Sequence, residues 1–180
     1  MLVINLFGAP GSGKSTGAAY IFSKLKMYGI NAELVTEFAK DKVWEESKEV
    51  FNNQAYIFGK QYFRISRLND KVEVVITDSP LLLSSFYNKS EVLGDNFNNM
   101  VKDVFNSFNS MNVLIKRTKP YNPAGRFQSE DESDELSEKM QSFLKSYDVE
   151  YKTYDGDLQG YDKLVNEILK MLYKETDNND

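Results

Sequence analysis

The sequence predicts an α/β protein in which a parallel β-sheet is covered by helices on both faces, forming three layers. Short apolar runs alternate along the chain with longer stretches of helical period, a pattern typical of parallel sheets. A glycine-rich loop stands between the first apolar run and the first helical stretch. The 180 residues, of which 41% are hydrophobic and 27% charged, fit a single domain over residues 1–180 with a buried core.

The first half of the chain contains two strand–helix units. The predicted elements are strand Leu2–Phe7, helix Lys14–Tyr28, strand Ala32–Thr36 and a helical stretch Phe38–Leu68 that is broken near Asn52–Asn53. Apolar residues at helical spacing share one face of the first helix, and Gly29 is a stop signal after it.

The second half repeats this alternation. The predicted elements are strand Val72–Thr77, a helical region over 81–110 interrupted around Lys89–Gly94, strand Val113–Arg117, acidic helix Ser129–Ser146, strand Glu150–Tyr154 and helix Asp162–Lys174. Pro80 opens the element after the third strand, because proline favours the first helical position. The polar residues Glu175–Asp180 are predicted to form a flexible tail.

The amino-acid composition limits which catalytic and binding groups the protein can use. The chain has no cysteine and no histidine, so thiol nucleophiles and Cys-based metal sites are excluded and carboxylates are left to transfer protons. A net charge of −5 disfavours tight non-specific binding to duplex DNA, although a local basic groove stays compatible with it. No apolar run reaches the roughly 20 residues that span a bilayer. The N-terminus runs directly into the glycine-rich loop, so we expect no signal peptide, no membrane partner and a cytoplasmic location.

The glycine-rich loop matches a phosphate-binding pattern. Residues 8–15 read Gly-Ala-Pro-Gly-Ser-Gly-Lys-Ser, which fits G-x-x-x-x-G-K-[ST] between a strand and a helix. Glycines bring backbone N–H groups close to phosphate, and the following helix adds free N–H groups and the positive end of its dipole. Lys14 is predicted to reach the β and γ phosphates of ATP, and the Ser15 hydroxyl to ligate Mg²⁺. The predicted nucleotide-binding residues of the loop are Gly8, Gly11, Ser12, Gly13, Lys14, Ser15 and Thr16.

Two carboxylates follow predicted strands. Asp78 ends the third strand, which in phosphate-loop proteins lies beside the first strand, so it is expected near Ser15 as a second Mg²⁺ ligand. Asp78 is also placed to cap the helix that starts at Ser79–Pro80, and the two roles are compatible. Glu37 stands just past the second strand, where it is placed to take a proton from an acceptor hydroxyl. Its alternative role is to favour a helix N-terminus as a first-turn acid.

The helical stretch after Glu37 supplies candidate acceptor ligands. Gln61 and Arg64 need polar partners if they are buried, and Arg64 or Arg67 is placed to hold a phosphate. Glu37, Gln61, Arg64 and Arg67 are therefore the predicted acceptor-binding residues. The aromatic side chains of this stretch are interpreted mainly as core.

A loop of about residues 117–130, here called the lid, contains two prolines and a glycine and is flanked by Arg117 and Arg126. An arginine from a closing loop neutralises charge on a transferring phosphoryl group and helps to exclude water. Arg117 and Arg126 are predicted to bind the nucleotide, with Arg126 also catalytic beside Lys14, Glu37 and Asp78. The alternative is that both arginines pair with the acidic helix that follows.

Taken together, these residues resemble the phosphate-loop kinases of the nucleoside and nucleotide kinase type. A closer resemblance is to a group often carried by bacteriophages, AAA-type phosphate-loop kinases related to the kinase domain of ribosylnicotinamide kinases. The patterns that carry it are Thr36-Glu37-Phe38, then Gln54, Gln61 and Arg64, then Thr77-Asp78-Ser79-Pro80, and Gly125-Arg126-Phe127-Gln128. The resemblance covers nearly the whole chain.

The resemblance implies a sheet order of 2-3-1-4-5, ATP as phosphoryl donor, and Glu37 or Asp78 as the base that accepts the acceptor's proton. Deoxynucleoside kinases carry Glu-Arg-Ser where this chain has Asp78-Ser79-Pro80. This departure leaves open how Glu37 and Asp78 divide their roles, and which acceptor is used. A monomer or a homodimer is compatible with the sequence.

Three functions follow from these observations. The first is transfer of the γ-phosphoryl group of ATP to a hydroxyl of a nucleoside, nucleotide or related small molecule. The second is phosphorylation of a hydroxymethylated pyrimidine in DNA, as some phage kinases of this general kind perform. The third is an ATPase or nucleotide-dependent switch, although no Asn-Lys-x-Asp motif for guanine is present.

Overall fold

The structure, a computed structural model, describes residues 1–38, 50, 52–122 and 129–177, with side chains up to residue 173. Numbered in chain order, the elements within these residues are β1 (Leu2–Phe7), α1 (Lys14–Met27), β2 (Ala32–Val35), α2 (Gln54–Ser66), β3 (Val74–Thr77), α3 (Leu83–Phe86), α4 (Gly94–Asn106), β4 (Asn109–Lys116), α5 (Glu130–Ser146), β5 (Lys152–Asp155) and α6 (Leu158–Asp177).

The five strands form one parallel sheet of order β2-β3-β1-β4-β5, as predicted. β1 is central and pairs with β3 and β4, while β2 and β5 are the edges. Thr77 of β3 is level with Asn5 of β1 on one side and with Val35 of β2 on the other. The residues that follow β1, β2 and β3 therefore leave the sheet side by side at its carboxyl edge, where ligands bind in such folds.

Helices cover both faces of the sheet, which confirms the three-layer arrangement. Alternate residues of β1 point to opposite faces, with Leu2, Ile4 and Leu6 on one side and Val3 and Phe7 on the other, and all are buried. On the first face they pack against α1 and α6. On the second face they pack against α2, α4 and α5. Because both faces are buried, the β1 sequence is continuously apolar apart from one asparagine.

The asparagine of β1, Asn5, helps to explain why the start of β4 was predicted wrongly. β4 begins at Asn109, whereas a helix was predicted up to residue 110 and a strand from Val113. The side chain of Asn5 donates to Asn112 Oδ1 at 3.0 Å, and Asn112 donates to the carbonyl of Glu150 at 3.2 Å. These bonds satisfy polar side chains inside the sheet, so a strand with little apolar character is tolerated there.

The last helix also starts earlier than predicted. α6 begins at Leu158, because the Asp157 carboxylate accepts a hydrogen bond from the Gly160 N–H at 2.8 Å and satisfies its first turn. It continues to Asp177, so the first residues of the predicted tail 175–180 are helical. In the preceding helix, α5, Ser129 and Glu132 form a capping box at the start, close to the predicted boundary. Across the residues that the structure describes, no helix combines the length and the apolar character needed to cross a membrane.

Candidate active site

The loop between β1 and α1 has the backbone geometry of a phosphate cradle. Gly8, Gly11 and Gly13 have φ values of 146°, 82° and 100°, a region that L side chains rarely adopt. A Cβ at Gly8 would lie 2.6 Å from Ser12 Oγ and 2.7 Å from the carbonyl oxygen of Ile115. Only glycine therefore fits at Gly8, and the backbone N–H groups of the loop stay accessible to an anion.

Polar side chains are already directed at this cradle. The Lys14 ammonium donates to the carbonyl oxygens of Gly8 at 2.7 Å and Ala9 at 3.1 Å, so it lies against the loop itself. The Ser12 hydroxyl is buried and has no hydrogen-bond partner among the described residues. Ser15 and Thr16, in the first turn of α1, are exposed. A cationic head, an unsatisfied buried hydroxyl and a helix N-terminus fit the phosphates of ATP.

Two residues from distant parts of the chain hold the loop in place. The Ser133 hydroxyl on α5 donates to the carbonyl of Pro10 at 2.7 Å. The Tyr161 hydroxyl on α6 donates to the carbonyl of Gly13 at 2.9 Å. Burial raises the pKa of Tyr161, and the nearby charge of Asp157 raises it further. The phenol is therefore protonated at neutral pH and stays a donor.

Glycines keep these contacts close. A Cβ on Gly13 or Gly17 would overlap the Tyr161 side chain, and a Cβ on Gly156 would overlap the Ser12 carbonyl. The Gly156 N–H also donates to the carbonyl of Lys116 at 2.7 Å. The turn after β5 is thus packed directly against the phosphate loop.

Sequence reasoning missed both Ser133 and Tyr161. Ser133 stands in a strongly acidic stretch of the sequence, yet it is only 1% exposed. Its spacing from Met140 and Leu144, seven and eleven residues on, places it on their buried face and was the available signal. Tyr161 had no such signal, because a tyrosine on the apolar face of a helix looks like ordinary core.

We expect Ser133→Ala to weaken both the use of ATP and the stability of the fold. Losing one buried hydrogen bond costs about 1–3 kcal/mol of unfolding free energy. A loosened phosphate loop costs roughly tenfold in kcat/KM for ATP, because small displacements of a catalytic group are expensive. Steady-state kinetics and thermal denaturation measure both. Ser142→Ala, at an exposed position of the same helix, is the control; equal kinetics for the two variants would contradict this role.

Glu37 and Asp78, the two residues predicted to supply carboxylates, lie just past neighbouring strand ends. Asp78, 3% exposed, accepts a hydrogen bond at Oδ1 from the backbone N–H of Glu37 at 2.9 Å. The prediction that Asp78 caps a helix starting at Ser79–Pro80 was wrong, because α3 begins only at Leu83. The turn before it is held by Thr77, whose hydroxyl accepts from the Ser79 N–H at 3.1 Å. The Asp78 carboxylate therefore fixes where Glu37 leaves β2.

Gln61 forms hydrogen bonds at the same place, where β2 and β3 end. Its side chain is 2% exposed, accepts from the Phe38 N–H at 3.3 Å and donates to Thr77 Oγ1 at 3.2 Å. The amide that was predicted to bind an acceptor thus joins α2 to the ends of β2 and β3. This positions Glu37 from the other side, and acceptor binding by Gln61 stays a prediction.

Tyr87, just after α3, is a further group near Glu37 that sequence reasoning missed. Burial raises the pKa of Tyr87 to about 12, and the negative charge of Glu37 contributes to the rise. The phenol is protonated at neutral pH and can donate a hydrogen bond in this region.

The predicted arginines take different positions. Arg64 donates to the carbonyl of Thr36 at 3.1 Å and lies over the Phe38 ring, 5.1 Å from its centroid. Arg67, the C-cap residue that follows α2, is exposed three residues further along. Both line a cleft of about 440 Å³ beside β2.

Arg117 lies at the base of the lid, as the alternative interpretation anticipated. It pairs with Asp134 at 2.6 Å and Glu130 at 3.3 Å, in the first turns of α5, and lies over the Tyr121 ring. Its Nη1 is buried with no acceptor among the described residues, which fits a phosphate oxygen. Arg126 and the lid residues 123–128 lie outside the described residues, so their predicted roles stay predictions.

The expected Mg²⁺ ligands are few. Over residues 1–38, 50, 52–122 and 129–177, no three acidic side chains gather into a group that could hold a metal. The ligands predicted here are one hydroxyl, Ser15, and one carboxylate, Asp78. This set suits Mg²⁺, which commonly keeps water and phosphate oxygens in the rest of its shell.

A parallel sheet of order 2-3-1-4-5 with this loop after its central strand defines a phosphate-loop nucleotide-binding fold of the kinase type. The sequence matches the AAA domain family over residues 3–160, and the chain belongs to that family. Among solved structures it is similar to deoxyadenosine kinase from M. mycoides with bound dATP, at 20% identity and a TM-score of 0.61. The match covers 93% of this chain and 99% of that chain, and at this identity it shows a shared fold. No curated protein matches the sequence.

Proposed function

We propose that the chain is an ATP-dependent kinase that transfers the γ-phosphoryl group to a hydroxyl of a nucleoside, nucleotide or related small molecule. The observation that carries the proposal is the bond from the Glu37 N–H to the Asp78 carboxylate. It fixes a carboxylate-bearing residue on the strand end beside the one that carries Asp78, with the phosphate loop on the next strand. A carboxylate at this position can accept the proton of an acceptor hydroxyl.

In the proposed mechanism the loop N–H groups and Lys14 hold the β and γ phosphates of ATP. Glu37 orients the acceptor hydroxyl and takes its proton as the oxygen attacks in line. Ser15 and Asp78 would hold Mg²⁺, which when bound neutralises charge on the phosphate oxygens. Arg117 and Arg126, which flank the lid in the sequence, would help to exclude water from the site. Most of the rate acceleration comes from positioning and electrostatics.

The supporting comparisons guide the choice of acceptors. The similar solved structure is a deoxyadenosine kinase, so deoxynucleosides belong in the test. The resemblance to ribosylnicotinamide kinases adds nicotinamide riboside. The resemblance to phage kinases adds DNA that contains hydroxymethylated pyrimidines, and implies a host cytoplasm as the site of action.

An acceptor screen with ATP and Mg²⁺ tests the proposal. Transfer of labelled phosphate is followed to nucleosides, nucleotides, nicotinamide riboside and modified DNA. Transfer to a small molecule is the expected result. ATP hydrolysis that no acceptor stimulates would replace the proposal with an ATPase or switch.

A further inference from the structure

The cleft beside β2 is rich in positive charge. It lies between the edge strand and α2, and its lining includes Thr36, Phe38, Lys60, Phe63, Arg64 and Arg67. The three cations recur at spacings of four and three residues, which places them along one face of the helix. None of the described residues that line the cleft is acidic. On a chain with a net charge of −5, this is a local surface suited to an anion.

Two of these cations are oriented by contacts within the cleft. Arg64 donates to the carbonyl of Thr36 and lies over the Phe38 ring, and the Lys60 ammonium lies 5.5 Å from the centroid of the Tyr56 ring. These contacts place cationic groups along the cleft, where a phosphate can meet them.

An aromatic ring is exposed in the same place. Phe63 lies between Lys60 and Arg67 along the helix and is 63% exposed, which is unusual for a large apolar side chain. An exposed ring beside a row of cations is the arrangement on which nucleotides bind, with the base stacked on the ring and the phosphate on the cations.

The cleft adjoins the proposed base. Thr36 and Phe38 both line it, and Glu37 is the residue between them. We infer that the cleft binds the phosphate-bearing part of the acceptor, so the acceptor is a nucleotide unit rather than a bare nucleoside. This inference rests on the proposed kinase function and narrows its substrate class.

A free mononucleotide and a nucleotide within single-stranded DNA share this chemistry. Phosphoryl transfer is therefore measured with three matched acceptors: a nucleoside, its 5′-monophosphate, and a short single-stranded oligonucleotide that contains the same nucleoside. Both ordinary and hydroxymethylated pyrimidines are used. We expect kcat/KM for one phosphate-bearing acceptor to exceed that for the nucleoside by about tenfold or more. Which of the two is used identifies the source of the phosphate.

The double variant Lys60→Gln/Arg67→Gln tests the cleft itself. It should raise KM for the phosphate-bearing acceptor about tenfold or more, with kcat and the KM for ATP changed less than about twofold. Phe63→Ala, at an exposed position, should raise the same KM by about tenfold through lost stacking. The control is Lys26→Gln/Lys163→Gln, which removes two charges from exposed positions on other helices.

Equilibrium binding separates the inference from the proposed function. The fluorescently labelled oligonucleotide and 5′-monophosphate are titrated onto the protein with saturating ADP, so that the phosphate loop is occupied. If no acceptor is phosphorylated but binding is lost in the cleft variant, the cleft role is supported and the kinase proposal fails. If a nucleoside is phosphorylated as well as its monophosphate, or if the cleft and control variants bind equally, the inference is overturned.

Discussion

Replacing Lys14 by alanine is expected to lower kcat by about 10³-fold or more, because the side chain supplies charge where it develops on the transferring phosphoryl group. In the structure its ammonium already lies against the loop, bonded to two of the loop carbonyls. The variant loses those two hydrogen bonds, but they lie in the loop that follows β1 and not in the hydrophobic core. Thermal denaturation should therefore shift by only a few degrees.

Lys26→Ala is the matched control for this change. Lys26 is exposed near the far end of α1, so its loss should leave both activity and melting temperature unchanged. A Lys14→Ala protein that retains a kcat within about tenfold of the parent would contradict the assigned mechanism.

Replacing Glu37 by glutamine is expected to lower kcat by about 10²–10⁴-fold, the usual contribution of a general base. Asp78 binds the backbone N–H of Glu37 and not its side chain, so the anchor at the end of β2 survives this substitution. The capacity of the side chain to accept a proton is lost. Binding of ATP, measured by titration calorimetry, should be unchanged.

Glu33→Gln, an exposed substitution earlier in β2, controls for the loss of one negative charge. If Glu37→Gln keeps the parental kcat with its acceptor, the base is the other carboxylate of the junction. In that case Asp78→Asn should carry the large loss.

The parallel sheet and the phosphate loop were accessible from the sequence because each depends on local patterns, whereas the order of the strands came from the family resemblance. The Gly8–Ser15 pattern, the apolar strands and the capping box at Ser129 are all readable within a few residues. The predicted start of β4 was wrong because distant residues form hydrogen bonds with its polar side chains. Asn112 is bonded to Asn5 and Glu150, which permits a polar strand.

Individual residues of the site could be predicted from the sequence, but the hydrogen bonds that connect them could not. Glu37 and Asp78 were each expected just past the end of a strand, whereas the backbone hydrogen bond that joins them was not expected. Ser133 and Gln61 have side chains whose partners lie far along the chain. A single sequence gives no information about which distant carbonyl or hydroxyl a buried polar group will meet, because that depends on packing.

The contacts of Gly156 and Tyr161 with the phosphate loop have a consequence for synthesis on the ribosome. The loop is translated before all the other strands of the sheet, whereas the turn and helix that hold it are translated only after the last strand. Its strand is also central and waits for β3 and β4. A nascent chain that has made only the first strand–helix units therefore lacks a formed nucleotide site. ATP in the cell would then stabilise the finished domain without guiding its early folding.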